Sequence, residues 1–93
     1  MKSTLYVSTH CPESQEVLRE CEKKGLDVRV VDITSNLTSL KEFMRLREKA
    51  SFFDKAKEED RVGIPVFVFE DQEVFYDAEE GVDWEWIKEE LKK

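Results

Sequence analysis

The chain has 93 residues, of which 40% are apolar and 11% aromatic, and a net charge of −7. That length and apolar content suit one domain, spanning 1–93, whose core needs no disulfide or metal staple. The negative charge excludes the basic surface by which proteins bind nucleic acids or anionic membranes.

Residues 3–9 alternate toward an apolar β-strand. Cys11-Pro12-Glu13-Ser14 follows directly and opens an amphipathic segment. Over 12–24, Val17, Leu18 and Cys21 recur at helical spacing and mark one buried stripe. Lys23 and Lys24 suit the last turn, and Gly25 supplies the stop. Residues 26–33 read as a second strand, so strand, crossover helix and strand predict a right-handed parallel βαβ unit.

Asn36 is placed to cap a second helix with an apolar stripe of Leu37, Leu40, Phe43 and Met44, continued by the stem of Arg47. Ser51-Phe52-Phe53 interrupts it. A charged helical or turn-rich stretch, 54–61, runs to Gly63-Ile64-Pro65. Residues 66–70 and 73–76 read as strands of an antiparallel hairpin turning at Asp71-Gln72. Asp83 is a good cap for a last helix in which Trp84, Ile87 and Leu91 share a face; Trp86 faces away from Trp84 and Ile87 at ideal spacing, as an exposed contact or, with the helix rotated, as core. The expected order is β-α-β-α-β-β-α, an α/β three-layer sandwich around a four-stranded mixed sheet.

Two cysteines in a chain of this size are not a secreted disulfide framework. The N-terminus carries no signal-peptide pattern. No apolar run approaches the roughly 20 residues that span a bilayer. A cytoplasmic monomer is the expectation.

Cys11 directly after a strand, with Pro12 at the start of a helix, is a placement for thiol–disulfide chemistry. Only a thiolate attacks, and the unpaired N–H groups and dipole of a helix start stabilise one. Ser14 can donate its hydroxyl to the sulfur, and His10, if protonated, helps further. Glu13 opposes them: at about 7 Å and an effective dielectric near 40 its carboxylate costs the thiolate roughly 1 kcal/mol. The balance favours modest thiolate stabilisation. Cys21 lies ten residues on, about 15 Å of helix rise away, so it cannot pair with Cys11 and reads as an inert core thiol. A metal site of Cys11, His10 and a carboxylate lacks paired ligand spacing, and no metal is expected.

Two motifs together, Cys11-Pro12-Glu13-Ser14 and Gly63-Ile64-Pro65-Val66, make the whole chain resemble the glutaredoxin family of the thioredoxin fold. The resemblance implies a cis Pro65 beside Cys11. It also implies that the Ile64 backbone is available to an extended substrate, and that Ser14 in the fourth position puts the chain on the single-thiol side. Cys11 would then attack mixed disulfides of proteins or small molecules and be released by an external thiol, with glutathione or another low-molecular-weight thiol as co-substrate and no bound cofactor. The lysine many members place three residues before the cysteine falls on Ser8. The family's double-glycine turn falls near 77–81 without its glycines, leaving Asp77 or Glu79 to meet an ammonium group. Two alternatives stand beside this reading: a non-catalytic thioredoxin-fold binding module, and an iron–sulfur carrier.

The segment 70–87 holds eight acids and no Lys or Arg. It reads as a solvated hairpin and helix start or, more sharply, as a flank of the Cys11 cleft that favours cationic partners and repels glutathione. Charge reversal at Glu79 and Glu80 would test the sharper account.

Overall fold

The computed structural model describes residues 3–69, 74–79 and 81–92. Strand β1 (Thr4–Val7) leads to helix α1 (Pro12–Lys23), strand β2 (Arg29–Asp32) and helix α2 (Leu37–Lys49). A single 3-10 turn (Ser51–Phe53) and a short helix α3 (Asp54–Glu58) precede strands β3 (Val66–Phe69) and β4 (Val74–Asp77) and helix α4 (Trp84–Leu91). The four strands form one mixed sheet in the order β2-β1-β3-β4. β1 runs parallel to β2, with Leu5 opposite Val30, and antiparallel to β3, with Leu5 opposite Phe67. β3 and β4 pair antiparallel, Phe69 opposite Val74. The expected hairpin is therefore present, while its Asp71-Gln72 turn, and Glu70 and Glu73 beside it, lie outside the described residues.

The central strands β1 and β3 are buried along their whole length. Successive side chains of a strand point to opposite faces, and here they feed two separate cores. Tyr6, Val66 and Val68 join Phe43 and Leu46 of α2 and Phe53 of the 3-10 turn. Leu5, Val7, Phe67 and Phe69 join Val17 and Cys21 of α1 and Ile87 of α4. Helices thus cover both faces, which is why β3 reads as a continuous apolar run.

The helix ends follow their local chemistry. Leu26 N–H donates to Cys21 O and Gly25 N–H to Glu22 O, with Gly25 at φ +62, so α1 ends in the glycine-dependent Schellman turn. Asn36 Oδ1 accepts from Ser39 N–H at 2.8 Å and Asp83 Oδ1 from Trp86 N–H at 3.3 Å, so both expected caps form.

Three expectations change. The second strand begins at Arg29 rather than 26, because Leu26 is still engaged in the turn after α1. In α2, Leu37 is 70% and Met44 55% exposed. The buried line runs instead through Leu40, Phe43, Leu46 and Ala50, rotated toward Tyr6 and Phe53, whose rings lie 5.4 and 5.6 Å from that of Phe43. Trp86 does not face away from the core. It stacks on Tyr76 at 5.1 Å and meets Phe69 edge-on, while Trp84 meets Phe67, so α4 buries a broad aromatic face. Of the Phe52–Phe53 pair, Phe53 is fully buried, and Phe52 is 37% exposed and stacked on Phe75.

Candidate functional site

The loop from β1 to α1 is fixed by a polar network that no sequence motif announced. Asp32, at the end of β2, accepts from Thr34 Oγ1 at 2.7 Å, Thr34 N–H at 2.9 Å and Thr9 Oγ1 at 3.1 Å. These bonds, Thr34's foremost, hold its carboxyl below the usual carboxylate range. Since the single hydroxyl proton of Thr34 goes to Asp32, Ser8 Oγ is the donor in its 3.0 Å bond to Thr34 Oγ1. Ser8 Oγ in turn accepts from His10 N–H at 3.1 Å. The position where a lysine would help hold an anionic thiol is therefore buried and serves this network. His10 is exposed and enters it only through its backbone.

Cys11 is the N-cap of α1, half-buried at the margin of the α2-side core. Its N–H donates to Ser8 O at 3.0 Å, and its carbonyl accepts the first helical bond, from Gln15 N–H. Pro12 occupies the first helical position, where its missing N–H breaks no helical bond and its fixed φ suits the turn. Lacking that N–H, it also offers one donor fewer to the adjacent sulfur.

The thiol's own hydrogen bond runs to Glu13: Sγ donates to Oε1 at 3.4 Å. The carboxylate is thus in contact with the sulfur, not the 7 Å away expected from extended spacing. Ser14 enters the site from beneath. It is 0% exposed, and its Oγ accepts from Ser8 N–H at 3.2 Å. The fourth position of the motif fastens the loop before the cysteine to the helix after it. Cys21 sits in the α1/α4-side core, where burial above all pushes its thiol up to about 11.

Ile64 and Pro65 are buried ahead of β3, and the peptide bond joining them is cis. Their neighbours are tied down on either side. Arg47 donates to the carbonyls of Val62 at 2.9 Å and Arg61 at 2.8 Å, and Ala78 N–H donates to that of Pro65 at 3.0 Å. Ile64 belongs to the same core that Cys11 borders. Gly63, at φ +98, is one position where glycine is required: a Cβ would sit 3.0 Å from the Phe53 ring.

Two clefts adjoin Cys11 through its neighbours. One, of about 560 Å³, runs from Pro12 and Glu13 past Val17 and Glu79 to Val82 and Trp84. The other, of about 510 Å³, is polar, with Lys55 and Arg61 facing Glu13, Glu59, Asp77 and Glu79. Glu13 and Glu79 line both. Asp77 and Glu79 are thus brought beside the cysteine's helix, but both already have partners. Glu79 Oε1 accepts from Arg61 Nη1 at 2.7 Å, and Asp77 Oδ1 accepts the Glu79 N–H at 2.9 Å. Lys55 and Arg61 are the cleft residues that sequence reasoning missed. Their only signal was a basic pair within the charged stretch 54–61. Of the acidic run, Glu70, Asp71, Glu73 and Glu80 lie outside the described residues, Asp83 caps α4, and Glu85 is exposed.

Among the described residues, no three His, Cys, Asp or Glu side chains converge as a metal site. Of the two free cysteines, Cys11 is partly exposed and Cys21 buried. No helix among the described residues is long and apolar enough to cross a membrane.

No protein-family model matches the chain, and no solved structure matches it. It is 32% identical over 76 residues to an uncharacterized protein of Haemophilus influenzae, an alignment covering 82% of this chain and 88% of that one. The chain belongs to the same family as that Haemophilus influenzae protein.

Proposed function

We propose that this protein is a glutaredoxin-like thiol–disulfide oxidoreductase of thioredoxin-like topology, acting through Cys11 alone. The observation that carries the reading is the setting of Cys11: a free, partly exposed cysteine capping a helix at the end of a central strand, with clefts opening beside its next two residues. The strand order and the cis Ile64–Pro65 bond agree with the resemblance described above. In the first half-reaction the Cys11 sulfur attacks a disulfide, a new S–S bond forms to Cys11, and one thiol departs. An external thiol then attacks the adduct and releases Cys11. Ile64 supplies backbone groups to an extended substrate, and Pro65 shapes the wall against which it lies.

One observation favours the quieter reading, a binding module with the same groove. The Cys11 thiol donates its hydrogen bond to the Glu13 carboxylate. A single experiment separates the two. The protein is mixed with a glutathione–peptide mixed disulfide, and the thiol released and the mass of the Cys11 peptide are followed, then reduced glutathione is added to test turnover. Adduct formation on Cys11, repeated turnover and complete loss of both in Cys11→Ser are expected. Intact, unmodified Cys11 after prolonged exposure would leave the binding module.

A further inference from the structure

We infer that Glu13 sets the charge preference of Cys11, turning its chemistry toward disulfides that carry cationic groups and away from anionic ones. This rests on the reading of Cys11 as nucleophile, and it names the substrate class of that site.

Of the described acids in the run 70–87, Asp77 and Glu79 line the clefts, and Glu79 is paired with Arg61. Four carboxylates line the larger cleft: Glu13, Glu16, Glu20 and Glu79. Three of them already have a cation from their own chain. Glu16 is paired with Arg19, Glu20 with Lys24 at 3.0 Å, and Glu79 with Arg61 at 2.7 Å. Among the described residues Glu13 has no such partner. Its bond is to the reacting sulfur itself. In the second cleft Arg61 is held between Glu59 and Glu79, and Lys55 lines the same cleft as Glu13 and Asp77 without an ion pair to either among the described residues. The carboxylate against the sulfur is Glu13, and it lines both approaches.

Two consequences follow from one contact. Glu13 accepts the hydrogen bond of the thiol, so its carboxylate lies against the reacting sulfur. A cationic group entering either cleft is drawn toward that carboxylate. An anionic substrate adds a second negative charge and is repelled. Cys11 loses its proton to solvent, its sulfur bonds to one sulfur of the disulfide, the old S–S bond breaks, and the departing thiolate takes a proton from solvent. The disulfide is the oxidant, and no other is needed.

The test uses three small disulfides at pH 7 and low salt: cystamine (two cations), 2-hydroxyethyl disulfide (neutral) and dithiodiglycolate (two anions). Adduct formation on Cys11 is timed by mass for the natural protein and for Glu13→Gln, which keeps side-chain length and an acceptor oxygen but no charge. The natural protein is expected to prefer cystamine over dithiodiglycolate by about tenfold or more, the size expected of one uncompensated charge near the reacting atom. That preference should fall with added salt and shrink about tenfold in Glu13→Gln, what remains being the intrinsic leaving-group difference between the probes. A preference as large in Glu13→Gln as in the natural protein overturns the inference. Iodoacetamide and iodoacetate, one neutral and one anionic, give the same comparison by alkylation. If no disulfide reacts but iodoacetamide outpaces iodoacetate only when Glu13 is present, the oxidoreductase reading fails and the role of Glu13 stands.

Discussion

At the start of α1, Cys11 borders the α2-side core, reaches solvent and donates its thiol to a carboxylate. About three turns further along the same helix, Cys21 is 5% exposed among Val17, Phe67 and Ile87 on the other face of the sheet. Same residue type and same helix, yet the surroundings differ in every respect that governs thiol chemistry: solvent access, proximity of charge and availability of a cleft. The difference teaches that access to solvent and to a charged neighbour belongs to the helix start, where backbone bonding is incomplete and the chain turns. The helix body offers a sulfur only a place in the core.

The strongest way to break this contrast is to compare the two thiols directly. In the folded protein at pH 8, iodoacetamide should label Cys11 at least about a hundredfold faster than Cys21, because labelling of Cys21 must await opening of the core. Peptide mass reads the two sites separately. Comparable rates under native conditions would mean that the α1/α4-side core is open.

A second test concerns stability at high pH. Burial raises the Cys21 thiol to about 11, above its value in an unfolded chain. Below the unfolded value both states hold the proton and nothing changes. As pH rises from there toward 11 the unfolded chain loses its proton first, so folding loses stability, by about 2 kcal/mol at most. Denaturant unfolding of the natural protein and Cys21→Ala between pH 8 and 11 should show a steeper decline in the natural protein. Parallel curves would contradict the burial argument.

The smallest expected effect sharpens the Cys11 end. Ser14→Ala leaves the buried Ser8 N–H without its acceptor and should cost about 1–2 kcal/mol. It should also loosen the loop ahead of Cys11, leaving Cys21 labelling unchanged after correction for stability. An unchanged midpoint in denaturant would mean that Ser8 N–H finds another partner.

Much of the fold was legible because local rules and tertiary demand agree. Asn36 and Asp83 cap as their side chains predict, Gly25 stops α1, and a continuous apolar run marks β3. The misreadings arose where long-range packing chooses among apolar residues. Leu37 and Met44 fit a helical stripe as well as Leu46 and Ala50 do, and only the position of Phe53 beneath α2 decides between them. Spacing leaves Trp86 open between an exposed contact and the core, and it packs inward because a helix lying on an aromatic sheet buries more than one narrow stripe.

The site divides in the same way. Cys11 and Pro12 are readable from position in the chain. The use of Ser14 as an acceptor, the contact of Glu13 with the sulfur and the pairing of Glu79 with Arg61 depend on side-chain directions and on residues far apart in sequence. Spacing alone does not encode them.

Arg47 carries one more consequence. By gripping two successive carbonyls, those of Arg61 and Val62, its guanidinium rivets the segment before β3 to the body of α2. Arg61 in turn reaches across to Glu79 in the loop after β4. The far wall of the polar cleft is thus braced in the free protein, and its conformational freedom is surrendered during folding. A partner docking beside Cys11 meets a surface already in shape and loses little affinity to ordering it.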